Sequence, residues 1–213
     1  NRQRKMTGNV YLLDKYKCIY FIIFSILIVY GKMIWADTMI IDDMRNTNEH
    51  GKAEKADFCE DSSERWCFVT DKVMGGVSEG RFETKVDGKD SHYNMQGNVS
   101  TANNGGFLQF RTKISNHPAG KLYKGVRIQV RGNNEEYAVH IRTKYLFLPW
   151  QYYQSKFIAT KEWQVIELPL KGFKKSNFYQ PSTISSIDIQ TLGIVAIGRD
   201  FQADIDLRYI ELY

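Results

Sequence analysis

Proline, histidine and cysteine are all scarce in this sequence. Four prolines, four histidines and three cysteines are spread over 213 residues. No C-x-x-C occurs, and His50, His92, His117 and His140 are too dispersed for the ligand spacing of a zinc site, so neither a metal nor a cofactor is expected. No apolar run reaches the roughly 20 residues that a bilayer span requires. No sustained helical period follows Trp66, and nothing alternates strand with helix. The body also lacks a basic excess. The formal charge of +5 comes from Arg2, Arg4, Lys5, Lys15, Lys17 and Lys32 set against Asp14, and acids and bases balance thereafter. Nucleic-acid binding leaves a basic footprint, so no nucleic-acid partner is expected.

What residues 1–36 do contain is an uncharged stretch, Cys18–Gly31 (CIYFIIFSILIVYG), with Lys15 and Lys17 before it and Lys32 after. This reads as the helical core of a signal peptide cleaved after Ala36, or as an uncleaved N-terminal anchor. The domain is then expected to be exported, or held at a membrane by this segment alone. In a eukaryotic source the same segment would mean mitochondrial targeting. Export makes oxidation available to Cys59 and Cys67, in FCEDSSERWC, which either close a small disulfide ring or remain thiols with Cys67 packed beside Trp66.

Residues 37–60 form a polar lead-in with a short strand at Met39–Ile41, and residues 61–213 form the domain. GVRIQVRG places Val126, Ile128 and Val130 on one face. YAVHIRT does so with Tyr137, Val139 and Ile141, and ADIDLRYIEL with Ile205, Leu207 and Tyr209. RFETKV, FLQFRTKI and WQVIELPL are further strands, and TLGIVAIG is apolar enough to be buried on both faces. Short strands separated by frequent turn signals predict an all-β sandwich or barrel.

Two glycine pairs interrupt this pattern. Gly76-Val77-Ser78-Glu79-Gly80 is a literal G-x-S-x-G, but a nucleophile elbow needs a strand before the serine and a helix after it. Here a strand follows, so a serine hydrolase built on Ser78 stands last among the readings and no catalytic residue is expected. Gly75-Gly76 and Gly105-Gly106 each lie near turn-forming side chains, Asp71 and Asn103-Asn104. They are either tight strand ends or the border of a surface where a partner meets backbone.

Trp66, Val69 and the run Asp71-x-Val73-Met74-Gly75-Gly76-x-Ser78, then Gly97-Asn98-Val99-Ser100, Asn103-Asn104-Gly105-Gly106-Phe107 and Arg111, resemble the complex I intermediate-associated protein 30 family. The resemblance spans residues 60–213. It implies a jelly-roll β-sandwich of the galactose-binding-like type and a non-enzymatic role. It also implies a protein partner, with respiratory-complex subunits as the family's example. The signature surface it implies comprises Asp71, Met74, Gly75, Gly76, Ser78, Asn103, Asn104, Gly105, Gly106 and Arg111, with a functional or a purely structural part.

The rival expectation is a carbohydrate-binding module. LPWQYYQ supplies Trp150 and Tyr152 as ring faces for sugars, with Arg131, Arg142 and Asn133 for polar contacts. Arg127, Arg131, His140 and Arg142 would form a basic stripe if their strands were neighbours, or a solvated, locally neutralised face. Asp204 and Asp206 share a strand face without the loop pattern of a calcium site. Asn98-Val99-Ser100 is a glycosylation sequon that matters only in a eukaryotic secretory pathway.

Overall fold

Alternation of apolar and polar side chains along short segments builds two antiparallel six-stranded sheets in the computed structural model of this chain. The model describes residues 38–45, 65–87, 90–114 and 117–213. The expected signal or anchor segment, most of the polar lead-in and Cys59 lie outside the described residues. Asp37–Tyr213 is a compact unit by itself.

The first sheet contains β1 (Met39–Asp43), β3 (Glu79–Asp87), β4 (Asp90–Val99), β6 (Gly125–Gly132), β9 (Gln164–Pro169) and β12 (Phe201–Leu212). Its order is β3-β4-β12-β6-β9, and β1 pairs with the last residues of β12, Met39 opposite Leu212. The second sheet contains β2 (Cys67–Thr70), β5 (Phe107–Lys113), β7 (Glu135–Thr143), β8 (Tyr153–Ala159), β10 (Lys174–Lys175) and β11 (Ile189–Ile197), in the order β10-β8-β7-β11-β5-β2. The fold is the expected all-β, jelly-roll-type sandwich.

Inward side chains at every second position fill the space between the sheets. Val126, Ile128 and Val130 of β6 and Tyr137, Val139 and Ile141 of β7 belong to one core, and Phe110 packs between Trp66 and Phe82 with ring centroids 5.2 and 4.7 Å away. Burial of such side chains is the main force holding two sheets together. β11 is buried on both faces from Leu192 to Ala196, as its unbroken apolar run implied.

Three features differ from the pattern read in the sequence. A bulge in the pairing of β12 with β6 falls between Leu207 and Tyr209. The extra residue shifts the phase, so Ile210 and Leu212 join the core while Tyr209 turns out beneath the Arg45 guanidinium. β4 and β8 are full strands that the sequence did not signal, because Gly97 and Ser155 interrupt the inner rows of Tyr93 and Met95 and of Tyr153, Phe157 and Ala159. β6 and β7 are consecutive in sequence but belong to opposite sheets. Arg127 and Arg131 therefore cannot form one stripe with His140 and Arg142.

The lead-in strand is built into the sandwich. Buried Asp42 accepts hydrogen bonds from Trp66 Nε1 (2.6 Å), Arg65 (2.7 Å) and the Tyr93 hydroxyl (3.0 Å). Cys67 is disulfide-bonded.

Strand direction gives the sandwich two ends. At one end lie residues 71–78 and 100–106, the two glycine-pair segments. At the other lie residues 114–124, 144–152 and 176–188 and the start of β1.

Candidate functional site

Thr70 ends β2 and caps a short 3-10 turn, Asp71–Met74, by accepting a hydrogen bond from Lys72 N–H (3.3 Å). The turn buries the Asp71 side chain completely. Its carboxylate accepts from Ser78 N–H (2.9 Å), the Ser78 hydroxyl (2.5 Å), Gly106 N–H (2.5 Å) and Phe107 N–H (3.3 Å). Ser78 Oγ in turn accepts from Ser100 N–H (3.0 Å). One carboxylate thus joins both glycine-pair segments. Burial alone would raise the Asp71 pKa, but the hydrogen bonds from the Ser78 hydroxyl and the Gly106, Ser78 and Phe107 N–H groups outweigh it and leave the pKa below the usual carboxylate value.

The glycines explain themselves by what surrounds this carboxylate. A Cβ on Gly76 would overlap Asp71, and one on Gly105 would meet both the Asp71 carboxylate and, at 2.8 Å, the Cα of Gly76. The two pairs pack backbone to backbone. Gly75 differs: it faces open space and takes a positive φ of 91°, closing the turn. Asn103 and Asn104 also adopt positive φ, at 57° and 58°, on the exposed side of the second segment. Asp71, Gly76, Ser78, Gly105 and Gly106 are therefore interior architecture, whereas Met74, Gly75, Asn103 and Asn104 reach the surface. Val73, Met74 and Val77 form an exposed apolar rim there, with Met74 63% exposed.

Arg111 lies elsewhere, on the outer face of the second sheet. Register places it opposite Gly193 of β11, and Gly193 opposite His140 of β7. Gln109, Arg111, His140, Arg142, Gln151, Tyr152 and Thr191 line a niche of about 40 Å³ with Pro149. Tyr152 stacks flat on His140, with centroids 3.9 Å apart. Burial pushes the His140 pKa down to about 3, so the ring is neutral at ordinary pH. Burial, and then the charge of Arg111, lowers the pKa of Arg142.

Arg142 is occupied with its own chain. Nη1 donates to the carbonyls of Leu148 (2.9 Å), Pro149 (2.8 Å) and Gln151 (2.6 Å), and Nη2 to that of Leu146 (3.1 Å). The segment 144–152 is folded around this guanidinium. Trp150 stands out from it into solvent.

Arg131 belongs to the other sheet. It donates to Asp206 (2.7 Å), and its guanidinium lies 4.6 Å from the Trp163 ring centroid, which also carries Arg208 at 4.0 Å. Asn133 lies on an open trough of about 630 Å³ beside Glu79, Arg81, Gln96, Gln202 and Asp204. No aromatic ring lines it. The residues expected to share a sugar site are thus divided between sheets. Asp204 and Asp206 both accept from Asn94 (3.0 and 2.6 Å), and among the described residues no cluster of His, Cys, Asp and Glu suits a metal.

Sequence reasoning missed the exposed aromatics Phe147, Phe178 and Tyr179. Their signal was present as rings next to lysines in stretches without acids, but it reads as a feature only once the fold brings the two loops together.

The model of the family described as complex I intermediate-associated protein 30 (CIA30) matches residues 56–207. No curated protein matches the chain. Among solved structures, the chain resembles the family 11 carbohydrate-binding module of cellulosomal cellulase Lic26A-Cel5E of Clostridium thermocellum, with a TM-score of 0.55 at 12% identity, covering 76% of this chain and 94% of that one. The family 11 module from the same organism in complex with a β-1,3-1,4-mixed-linked tetrasaccharide has a TM-score of 0.55 at 11% identity, covering 77% and 96%. The family 30 module of cellulosomal cellulase Cel9D-Cel44B of Clostridium thermocellum has a TM-score of 0.53 at 9% identity, covering 83% and 97%. At such identities the likeness is one of fold.

Proposed function

The chain belongs to the complex I intermediate-associated protein 30 family, and from that premise we propose that it acts by binding, holding a protein partner during assembly of a respiratory membrane complex. The observation that carries this reading is the apolar rim of Val73, Met74 and Val77, held out by a turn anchored through the buried Asp71 carboxylate to Ser78 and Gly106. Exposed apolar side chains on a rigid support are what a partner-binding surface needs. Ser78 supplies no nucleophile, because it is fully buried and its proton is directed at Asp71.

A carbohydrate function has the fold for it but a poor site. The niche beside Tyr152 is about 40 Å³, against roughly 300–1,000 Å³ for a usual ligand pocket. One face of the Tyr152 ring is covered by His140.

The test is an affinity capture of the tagged full-length protein from its native membranes, with mass spectrometry for subunits of NADH:ubiquinone oxidoreductase. The control is a Val73→Lys, Met74→Lys variant with an unchanged melting temperature. Subunits captured by the wild type and lost by the variant are the expected result. Capture of no such subunit, or of the same set by both proteins, overturns the reading.

A further inference from the structure

The end of the sandwich opposite the glycine pairs has an unusual surface. Phe147 is 86% exposed, Trp150 61%, Phe178 83% and Tyr179 88%. These rings come from two loops that the structure binds to each other. Ser176 Oγ donates to the Trp150 carbonyl (3.3 Å), Ser176 N–H to the Tyr152 carbonyl (2.9 Å), and Gln180 Nε2 to the same Tyr152 carbonyl (2.9 Å). Arg142 holds the first loop from beneath. The aromatic tips are thus carried by a fixed, hydrogen-bonded base.

Basic residues outnumber acidic ones in the two loops that carry them. No acidic residue occurs from Thr143 to Lys161 or from Leu168 to Ile187. Lys144 is neutralised by Asp188 (2.7 Å), but Lys171 and Lys174 have no carboxylate partner among the described residues. Lys175 donates to the carbonyls of Phe178 (3.0 Å) and Gln180 (3.2 Å), which leaves its charge uncompensated. Lysine is depleted from protein–protein interfaces, whereas Trp, Tyr and Lys together mark the boundary between bilayer and water. Anionic lipid attracts basic side chains near its surface.

A separate observation concerns chain entry. β1 starts at Met39 opposite Leu212, and Leu212 pairs with Val126 at the start of β6. The strand start is tied to the aromatic end: Tyr123 N–H donates to Ser186 Oγ (2.9 Å) and Leu170 N–H to the Lys124 carbonyl (2.8 Å). In sequence, the apolar run Cys18–Gly31 precedes a strand that begins at the aromatic end.

We infer that this end docks on an anionic lipid surface, with Phe147, Trp150, Phe178 and Tyr179 entering the headgroup region and Lys171 and Lys174 pairing with lipid phosphates. The glycine-pair end then faces away from the membrane. This holds whatever partner the Met74 rim receives.

Sedimentation of the 37–213 unit with phosphatidylcholine vesicles, with and without phosphatidylglycerol, tests it. Phe147→Ala, Phe178→Ala, Tyr179→Ala should lower partitioning at least about tenfold, since three rings no longer enter the lipid boundary, while the urea midpoint stays unchanged. Lys171→Glu, Lys174→Glu should remove the preference for anionic vesicles, as should high salt. In the full chain reconstituted into the same vesicles, amides of 145–150 and 177–180 should exchange more slowly on anionic than on neutral lipid. Absence of wild-type binding, equal binding by the triple variant, or equal exchange on both lipids overturns the proposal. So does a protein partner lost by the triple variant without any vesicle binding by the wild type.

Discussion

Replacing Asp71 with asparagine should cost the domain about 3–5 kcal/mol. The amide can place its oxygen where Oδ2 now accepts from the Ser78 hydroxyl, Gly106 N–H and Phe107 N–H. Its NH2 then faces Ser78 N–H, which is 2.9 Å from Oδ1 in the wild type. Two buried donors are left facing each other, at about 1–3 kcal/mol apiece. The remaining bonds lose the strengthening that a charged acceptor provides. The easier burial of a neutral amide offsets part of this. Equilibrium urea denaturation, followed by tryptophan fluorescence, should show the midpoint falling by about 1–3 M with its slope unchanged. The acid limb should change as well. The folded Asp71 pKa lies below its unfolded value, so its contribution is fully present above about pH 3.9 and is lost as pH falls through the folded value. The variant should lack that loss. A midpoint within about 0.3 M of wild type would mean that the carboxylate is not the acceptor joining the two segments.

His140 should make stability fall on acidification. Its folded pKa of about 3 lies under the unfolded value of about 6.5, so the unfolded chain alone takes up the proton in that window. The loss should approach 1.4 kcal/mol per pH unit at most, roughly. Tyr152 stacks on the ring, and Arg111, Arg142 and uncharged side chains line the niche with it, so His140→Phe should flatten urea midpoints measured from pH 7 to 4.5, roughly over that window. Gly76→Ala should lower the melting temperature far more than Gly75→Ala, because the first overlaps Asp71 while the second meets open space and only strains a positive φ, by about 1–2 kcal/mol. Equal losses would refute the packing argument. Arg142→Ala should release the carbonyls of residues 146–151 and speed tryptic cleavage after Lys144, with a small change in global stability. Arg142→Lys should not restore protection, since an ammonium lacks the planar fork that reaches four carbonyls.

Much of the sandwich was legible because a half-buried strand writes its burial at every second residue. β6, β7 and β11 show this plainly. β4 was hidden because the face turned away from the core carries buried polar groups, His92 and Asn94, and Gly97 interrupts its inner row. The bulge after Leu207 was hidden for another reason: one inserted residue changes the phase of everything after it and leaves no composition cue. The glycine pairs were visible as a motif, yet whether they lined a surface or an interior depended on where Asp71 points, a long-range fact fixed by Gly106 and Phe107 from a different segment. The sugar constellation failed in the same way. Proximity in sequence between Arg131 and Arg142 says nothing about which sheet each strand joins.

These observations divide the chain's recognisable letters from its working surface. Asp71, Gly76, Ser78, Gly105 and Gly106 satisfy one another inside the protein and offer nothing to a ligand. Their contribution is indirect and mechanical: they set the angle at which the Val73–Val77 turn leaves the sheet. A second domain could share this interior and carry other side chains on the rim, so the motif identifies the scaffold more securely than the partner. The opposite end follows the same logic. Arg142 spends its donors on backbone carbonyls, and the rings it supports are the groups free to meet something else. In both places a polar residue, fully buried at Asp71 and half-buried at Arg142, organises a loop that carries exposed apolar side chains. The two loop sets lie at opposite ends of one sandwich, so the proposed lipid surface at one end would leave the other accessible to the proposed protein partner.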